Sequence, residues 1–248
     1  MAGHSKWANI QHRKKAQDSK RGKLFTRLVR EVTVAVRESG PDPESNPRLR
    51  LALEKCNKNS VPKDNIERAI KKASGEGADA NAFEEIRYEG YGPGGVAVMV
   101  DCVTDNRNRT VSEVRHAFSK HGGNLGTDGS VSYLFEKRGV LTFAPGSDED
   151  QLMELGLEGG ADDVLVDEED GSIEMLTSPE AYADVLQAIE GAGLEAAESD
   201  LTMRPMTRVD LDVDTAGTVL KLLDVLEDLD DTQNVYNNAN IPDEAYDT

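Results

Sequence analysis

The sequence predicts an α+β protein of several domains, a basic three-helix domain over residues 1–80 followed by two α+β domains. The second is assembled from 81–136 and 207–248, and the third, a ferredoxin-like βαββαβ module over 137–206, is inserted in it. Three observations carry this. The apolar residues recur with a helical period as far as residue 75, then with a period of two or in continuous runs. Between the two regimes lies GEGADAN at 75–81, small and polar like a linker. The charge also changes sign there: residues 1–75 hold 18 Lys/Arg against 8 Asp/Glu, a balance of +10, whereas residues 76–248 hold 10 against 39, a balance of −29. With about 150 residues per domain as a soft prior, the 248 residues fit one large or two to three small domains. An apolar share of 38% with 30% charged residues suffices for a core and argues against wholesale disorder.

The first helix starts near Lys23, with Leu24, Leu28, Val32 and Val36 at i, i+4 and Phe25 and Val29 widening the stripe; Gly40 and Pro41 stop it. The second is announced by a cap residue, Asn46, and a first-turn proline, Pro47, and its apolar face is Leu49, Ala52, Leu53 and Cys56. The third begins after Ser60 around Pro62, shows Ile66, Ala69, Ile70 and Ala73, and ends at Gly75. Short connections make the three an antiparallel bundle.

Beyond the linker, 83–91 and 96–103 flank Gly92-Pro93-Gly94-Gly95 and read as a hairpin. Thr110-Val-Ser-Glu113 reads as a capping box, with Val111, Val114 and Phe118 as the buried stripe of the helix behind it, ended by Gly122 and Gly123. A further strand is expected over 130–135. The βαββαβ order follows: strand 140–143, helix 148–157, strands 163–167 and 172–177, a helix from Ser178-Pro179 carrying Tyr182, Val185, Leu186 and Ile189, and strand 194–203. A strand over 209–213, a helix over 216–229 and a short strand near Val235-Tyr236 remain. They need partners that the module does not supply, so they are expected to return to the β-β-α unit.

Catalytic signals fail on context. Gly90, Gly92 and Gly95 satisfy G-x-G-x-x-G, but a strand follows where a dinucleotide site needs a helix, so this is a turn. The chain has no GK[ST] loop, HExxH or GxSxG. Asp210, Asp212 and Asp214 alternate with Val209, Leu211 and Val213, which on a strand puts three carboxylates on one face; a hard cation uses such a set, and a half-buried strand with a wet face shows the same pattern. Glu168-Glu169-Asp170-Gly171 reads as a solvated turn, and His4, His12, His116 and His121 lack ligand spacing. Cys56 and Cys102 stand far apart without a CxxC, against a disulfide framework or a zinc site. No run of about 18 apolar residues and no signal-like h-region occurs, so the expectation is a cytoplasmic protein without membrane contact, and the failed motifs leave no cofactor, metal or catalytic residue to name.

Binding signals do better. The first 23 residues carry Lys6, Arg13, Lys14, Lys15, Lys20, Arg21 and Lys23 against Asp18 alone, a balance of +6 on a chain whose formal charge is −19. Such local density on an acidic chain points to nucleic acid, with these cations neutralising phosphates rather than reading bases. Trp7, the only tryptophan, sits between Lys6 and the 13–15 run, where an indole either packs onto the helical bundle, as most large aromatics do, or stacks on a base. Arg107 and Arg109, in NRNR just ahead of the helix expected at Thr110, would place guanidinium groups beside a helix N-terminus, an anion site unless they pair with the acidic body. Residues 144–248 hold 3 Lys/Arg against 29 Asp/Glu, a surface suited to a protein partner and repellent to phosphate.

MAGHSKWANI at 1–10, KRGKLF at 20–25, NSVPKDNI at 59–66, YEGYGPGG at 88–95, TDNRNR at 104–109 and GSVSYLF at 129–135 closely resemble the YebC family, relatives of the mitochondrial translational activator of cytochrome oxidase. The resemblance spans nearly the whole chain. It implies a helical domain and two α+β domains, the third ferredoxin-like and inserted in the second. It also implies a non-enzymatic cytoplasmic protein, the family being described as DNA-binding transcriptional regulators with some members acting on translating ribosomes. It supplies no catalytic residue. Three functions stay open at this point: a DNA-binding regulator of transcription, a translation factor touching ribosomal RNA with the same lysines, and a metal-dependent nuclease built on Asp210, Asp212 and Asp214. No helix-turn-helix or zinc-finger spacing supports major-groove reading, and an aromatic share of 5% makes stacking platforms sparse.

Overall fold

The computed structural model describes residues 7, 21–75 and 83–247. Lys6, Arg13, Lys14, Lys15, Lys20 and most of the expected linker lie outside the described residues, as does the side chain of Arg21.

Residues 21–75 form helices α1 (Arg21–Ser39), α2 (Pro47–Lys58) and α3 (Lys63–Ser74). Gly40 ends α1 at φ +89°, and its N–H closes back on the Val36 carbonyl at 2.8 Å. The buried Asn46 caps α2 by accepting from the Leu49 N–H at 3.0 Å, while its amide donates to the Ala35 and Gly40 carbonyls at 2.7 and 2.8 Å. One side chain thus starts α2 and ties it to the end of α1. Val32, Ala35, Leu49, Cys56 and Ile66 are among the buried core of this bundle.

The next unit is a four-stranded sheet of order β3-β1-β2-β9, with β1 (Glu84–Tyr91), β2 (Ala97–Thr104), β3 (Asn124–Leu125) and β9 (Thr232–Asn237). β1 and β2 are the predicted hairpin. Its turn needs glycine: Gly94 has φ +70°, and a Cβ there would meet Leu211 Cδ2 at 2.7 Å. Helices α4 (Arg107–Lys120) and α7 (Val213–Asp228) contribute Phe118, Leu222 and Leu226 to the cluster that holds Val98 and Val100. Ala97 and Met99 point the other way, into a cluster with Val131 and Phe135. Both faces of β2 are covered, which is why it reads as an unbroken apolar run rather than an alternation.

The inserted module comprises β4 (Phe135–Phe143), α5 (Glu149–Gly159), β5 (Asp163–Val166), β6 (Ile173–Thr177), α6 (Tyr182–Gly191) and β7 (Glu198–Pro205). They form an antiparallel sheet of order β5-β6-β4-β7 whose core includes Leu141, Leu152, Met175 and Ile189. Gly139 sits where a Cβ would lie 2.6 Å from Tyr182 Cδ2, so α6 and β4 meet closely there. The module leaves the second unit at Phe135 and returns at Pro205, and these two residues are register partners in neighbouring strands. An insertion whose ends are adjacent perturbs its host little. β9 then pairs with β2, so the C-terminal elements return to the β-β-α unit as expected.

Four expectations need correction. Residues 130–134 are not a strand: Ser132–Leu134 is a 3₁₀ turn, and β4 runs unbroken from Phe135. The cause is Glu89, buried on β1, whose carboxylate accepts backbone N–H bonds from Gly129, Val131 and Ser132 at 2.8–2.9 Å and folds that segment into a loop. The capping box at Thr110 is not used; α4 begins a turn earlier, capped by Asn106, which accepts from the Arg109 N–H at 3.1 Å. The strand at 209–213 shrinks to β8 (Val209–Asp210), which pairs with β10 (Ala239–Asn240), because Asp212 caps α7 by accepting from the Thr215 N–H at 2.8 Å. The helix expected from Ser178-Pro179 starts only at Tyr182.

Candidate nucleic-acid interface

A helix C-terminus leaves its last carbonyls unsatisfied and carries partial negative charge. The C-terminus of α7 points these groups at α1, which meets them with cations. Lys23 Nζ donates to the Asp228 carbonyl at 2.9 Å, with the Asp228 carboxylate 3.4 Å away, and Arg27 donates to the Glu227 carbonyl. Arg30 Nη1 donates to the carbonyls of Asp230 and Val103 at 2.7 and 3.0 Å and lies 3.6 Å from the Asp231 carboxylate. Burial lowers the pKa of Arg27, against the opposing pull of Glu227 and Asp228. Arg30 and Arg37 also stand over the ring of Phe83, 5.5 and 5.6 Å from its centre.

Asp231 is the centre of this junction. Its side chain is 4% exposed, receives Arg109 at 2.6 Å, and lies 3.0 and 2.8 Å from the hydroxyls of Thr104 and Thr110. Burial alone would raise its pKa, but Arg109 and the two hydroxyls outweigh it and hold the carboxyl below its ordinary value. Arg48 bridges Glu31, Glu38 and Glu85 at 2.8 Å each, joining α1, α2 and β1, and these partners raise its pKa. Lys55 reaches Asp200 of the inserted module at 2.5 Å.

The sequence-derived site is therefore divided. Lys23 faces the acidic body. Arg109 is held by Asp231 and Asp105, whereas Arg107 is exposed in the first turn of α4, so the two do not form one anion site. Trp7 is half-buried, and its backbone N–H donates to Asp170 at 2.8 Å, which puts it at the acidic turn of the inserted module. Asp210, Asp212 and Asp214 share no strand face: Asp210 accepts from Asn240, Asp212 is a helix cap and Asp214 lies in the first turn of α7. Among the described residues no group of three or more His, Cys, Asp or Glu is placed to hold a metal ion, and no helix is long and apolar enough to cross a membrane.

Sequence reasoning passed over Lys63, Arg68, Lys71 and Lys72. They lie exposed on α3, Arg68 and Lys71 opposite the buried Ile66, Ala69 and Ala73 and Lys63 and Lys72 on the two flanks, and make no ion pair among the described residues. A helical wheel of 63–74 separates the buried stripe from the charged positions, so the signal is present in the sequence beside the denser run at 13–23.

The architecture defines a class: a basic helical module docked through guanidinium groups onto an acidic α+β body that carries a ferredoxin-like insertion. The chain belongs to the TACO1/YebC family, whose N-terminal domain matches residues 5–76 and whose second and third domain matches residues 83–239. It is 61% identical over 246 residues to a probable transcriptional regulatory protein of Halorhodospira halophila, covering 99% of both chains. It is 63% identical over 245 residues to one of Thioalkalivibrio sulfidiphilus, covering 99% of this chain and 98% of that one. The crystal structure of a conserved hypothetical protein from Aquifex aeolicus superposes with a TM-score of 0.78 at 50% identity, covering 91% of this chain and 92% of that one.

Proposed function

We propose that this protein is a regulator of gene expression that binds nucleic acid, DNA in the first place, through its basic N-terminal module, acting by binding and not by catalysis. The observation that carries the reading is the segregation of charge, +10 over 1–75 against −29 over the remainder. An anionic polymer is attracted to one end of the molecule and repelled by the other, which orients it without any base contact. The relatives named as probable transcriptional regulatory proteins support regulation of transcription. The dispersal of Asp210, Asp212 and Asp214 into separate structural roles removes the geometric basis for the nuclease alternative. The acidic domains then serve as the surface for a protein partner, in the cytoplasm.

Two measurements test the reading. Crosslinking in cells followed by sequencing of both DNA and RNA is expected to recover DNA; recovery of ribosomal RNA alone would move the protein to translation. Changing Lys14, Lys15, Lys20 and Arg21 to Glu is expected to flatten the slope of log affinity against log salt by about 0.9 per lost phosphate contact on duplex DNA, about 3 to 4 in all. Circular dichroism should show the fold intact, and unchanged slope and affinity would remove the arm from the interface.

A further inference from the structure

The outward face of α3 offers a second surface, one that none of the sequence motifs singled out. Lys63, Arg68, Lys71 and Lys72 are all exposed there. A charged helix face is ordinarily explained by solubility, by pairing along the helix or by the helix dipole, and spacing along the helix and the dipole balance only part of this set. The chain has 47 acidic residues, and most of the module's other described cations find partners among them, at carbonyls or at a ring, namely Lys23, Arg27, Arg30, Arg37, Arg48 and Lys55, while Arg50 and Lys58 stand exposed on α2. The four on α3 make no ion pair among the described residues, although Asp64 and Glu67 lie on the same helix. Arg68 stands one turn from both Lys71 and Lys72, a like-charge spacing that weakens a helix by about 0.2 to 0.5 kcal/mol per pair. The dipole favours Lys71 and Lys72 in the last turn but opposes Lys63 at the first position. Lys63 with Glu67, Asp64 with Arg68 and Glu67 with Lys71 are opposite charges four residues apart that offset this cost, and the helix still keeps a balance of +2 for an anion outside it to meet.

We infer that this face of α3 binds the phosphodiester backbone of duplex DNA, as a second contact surface beside the N-terminal arm; the inference rests on the function proposed above. From Lys63 to Lys72 the helix rises about 13.5 Å, the axial length over which one strand of a duplex presents about four phosphates. The four positions carry no aromatic side chain, so the face has nothing on which an unpaired base would stack, and the contact is with backbone charge alone. Helix α1 turns its cations toward the acidic body and α2 adds only Arg50 and Lys58 exposed without an ion pair among the described residues, which leaves α3 as the described helix of the bundle with the most such cations to meet a polymer.

The test uses the full chain with Lys63, Arg68, Lys71 and Lys72 changed to Gln, and the two double variants K63Q/R68Q and K71Q/K72Q in case the fourfold change disturbs folding, each checked by circular dichroism. Affinity for duplex DNA and duplex RNA is measured at several salt concentrations, beside the arm variant and a Lys55→Gln control. The fourfold variant is expected to lose about 3 to 4 from the DNA salt slope, so that the fall in affinity between 50 and 200 mM salt shrinks by about a hundredfold; each double variant loses about half of that slope. Lys55→Gln leaves it unchanged. A slope equal to that of the parent on DNA, with the arm variant still impaired, overturns this face while the proposed function stands. Equal slopes for both sets overturn the two together. Loss confined to duplex RNA overturns the assignment to DNA.

Discussion

Helices α1 and α3 belong to one bundle and present the same number of described cationic side chains, Lys23, Arg27, Arg30 and Arg37 on the first and Lys63, Arg68, Lys71 and Lys72 on the second. Their charge does different work. On α1 it meets carbonyls and carboxylates at the end of α7 and the ring of Phe83, holding the helical module on the body. On α3 it faces outward without such partners. The contrast teaches that a basic balance of +10 is not a measure of a binding surface, because a large share of it is neutralised inside the protein's own junction.

The widest break in the contrast comes from removing the body. A fragment of residues 1–80 releases Lys23, Arg27, Arg30 and Lys55 from their partners and leaves behind the −26 balance of residues 144–248. Once circular dichroism shows it helical, it is expected to bind duplex DNA more tightly than the full chain, with a salt slope steeper by up to about 3 to 4 if each freed cation takes a phosphate. Weaker binding by a folded fragment would mean that the acidic domains supply contacts of their own.

Next in size is the junction itself. Asp231→Ala leaves the buried Thr104 hydroxyl without its acceptor, Thr110 with the Asn106 carbonyl in its place, and Arg109 and Arg30 without their shared carboxylate, at a cost of about 3 kcal/mol in urea unfolding. The acid response has a definite sign. Asp231 and Glu89 are both held below their ordinary values in the folded protein, Glu89 because backbone N–H bonds from Val131, Gly129 and Ser132 outweigh its burial. Their stabilisation is fully present above the unfolded carboxyl pKa of about 4 and is lost as pH falls through the lower folded values. Urea midpoints measured downward from pH 6 are therefore expected to drop in acid, less steeply in Asp231→Asn. An Asp231→Asn profile parallel to that of the parent would place the acid sensitivity elsewhere.

The smallest effect is at Lys55, whose pair with Asp200 links α2 to the inserted module with side chains 45% and 48% exposed. Solvent screening at that exposure limits the loss in Lys55→Gln to about 0.5 kcal/mol. A loss several times larger would make the pair part of the docking junction rather than a surface contact.

Much of this architecture was legible in the residues because its causes are local. The stripe Leu24, Leu28, Val32, Val36 marks α1, Asn46-Pro47 starts α2, and the change of period after residue 75 separates helices from sheets. The βαββαβ order identified the insertion, since the elements left over at the C-terminal end had no partners within it. One error falls where a distant group intervened, and another where a local cap competed with a strand pattern. SVSYLF reads as a strand until Glu89, some 40 residues earlier, draws the backbone N–H groups of 129–132 to its carboxylate. VDLDVD reads as a strand until Asp212 caps α7.

By itself the sequence determined the fold class, the order of the elements, the family resemblance and the segregation of charge, because hydrophobic period, capping residues and composition act over a few neighbouring residues. Only the tertiary structure decided which cations remain available. Arg30 meets the carbonyl of Asp230 and Arg109 meets Asp231, partners 200 and 122 residues away, and whether a guanidinium faces a carboxylate or open solvent depends on how the folded units pack, a relation that no short-range pattern encodes.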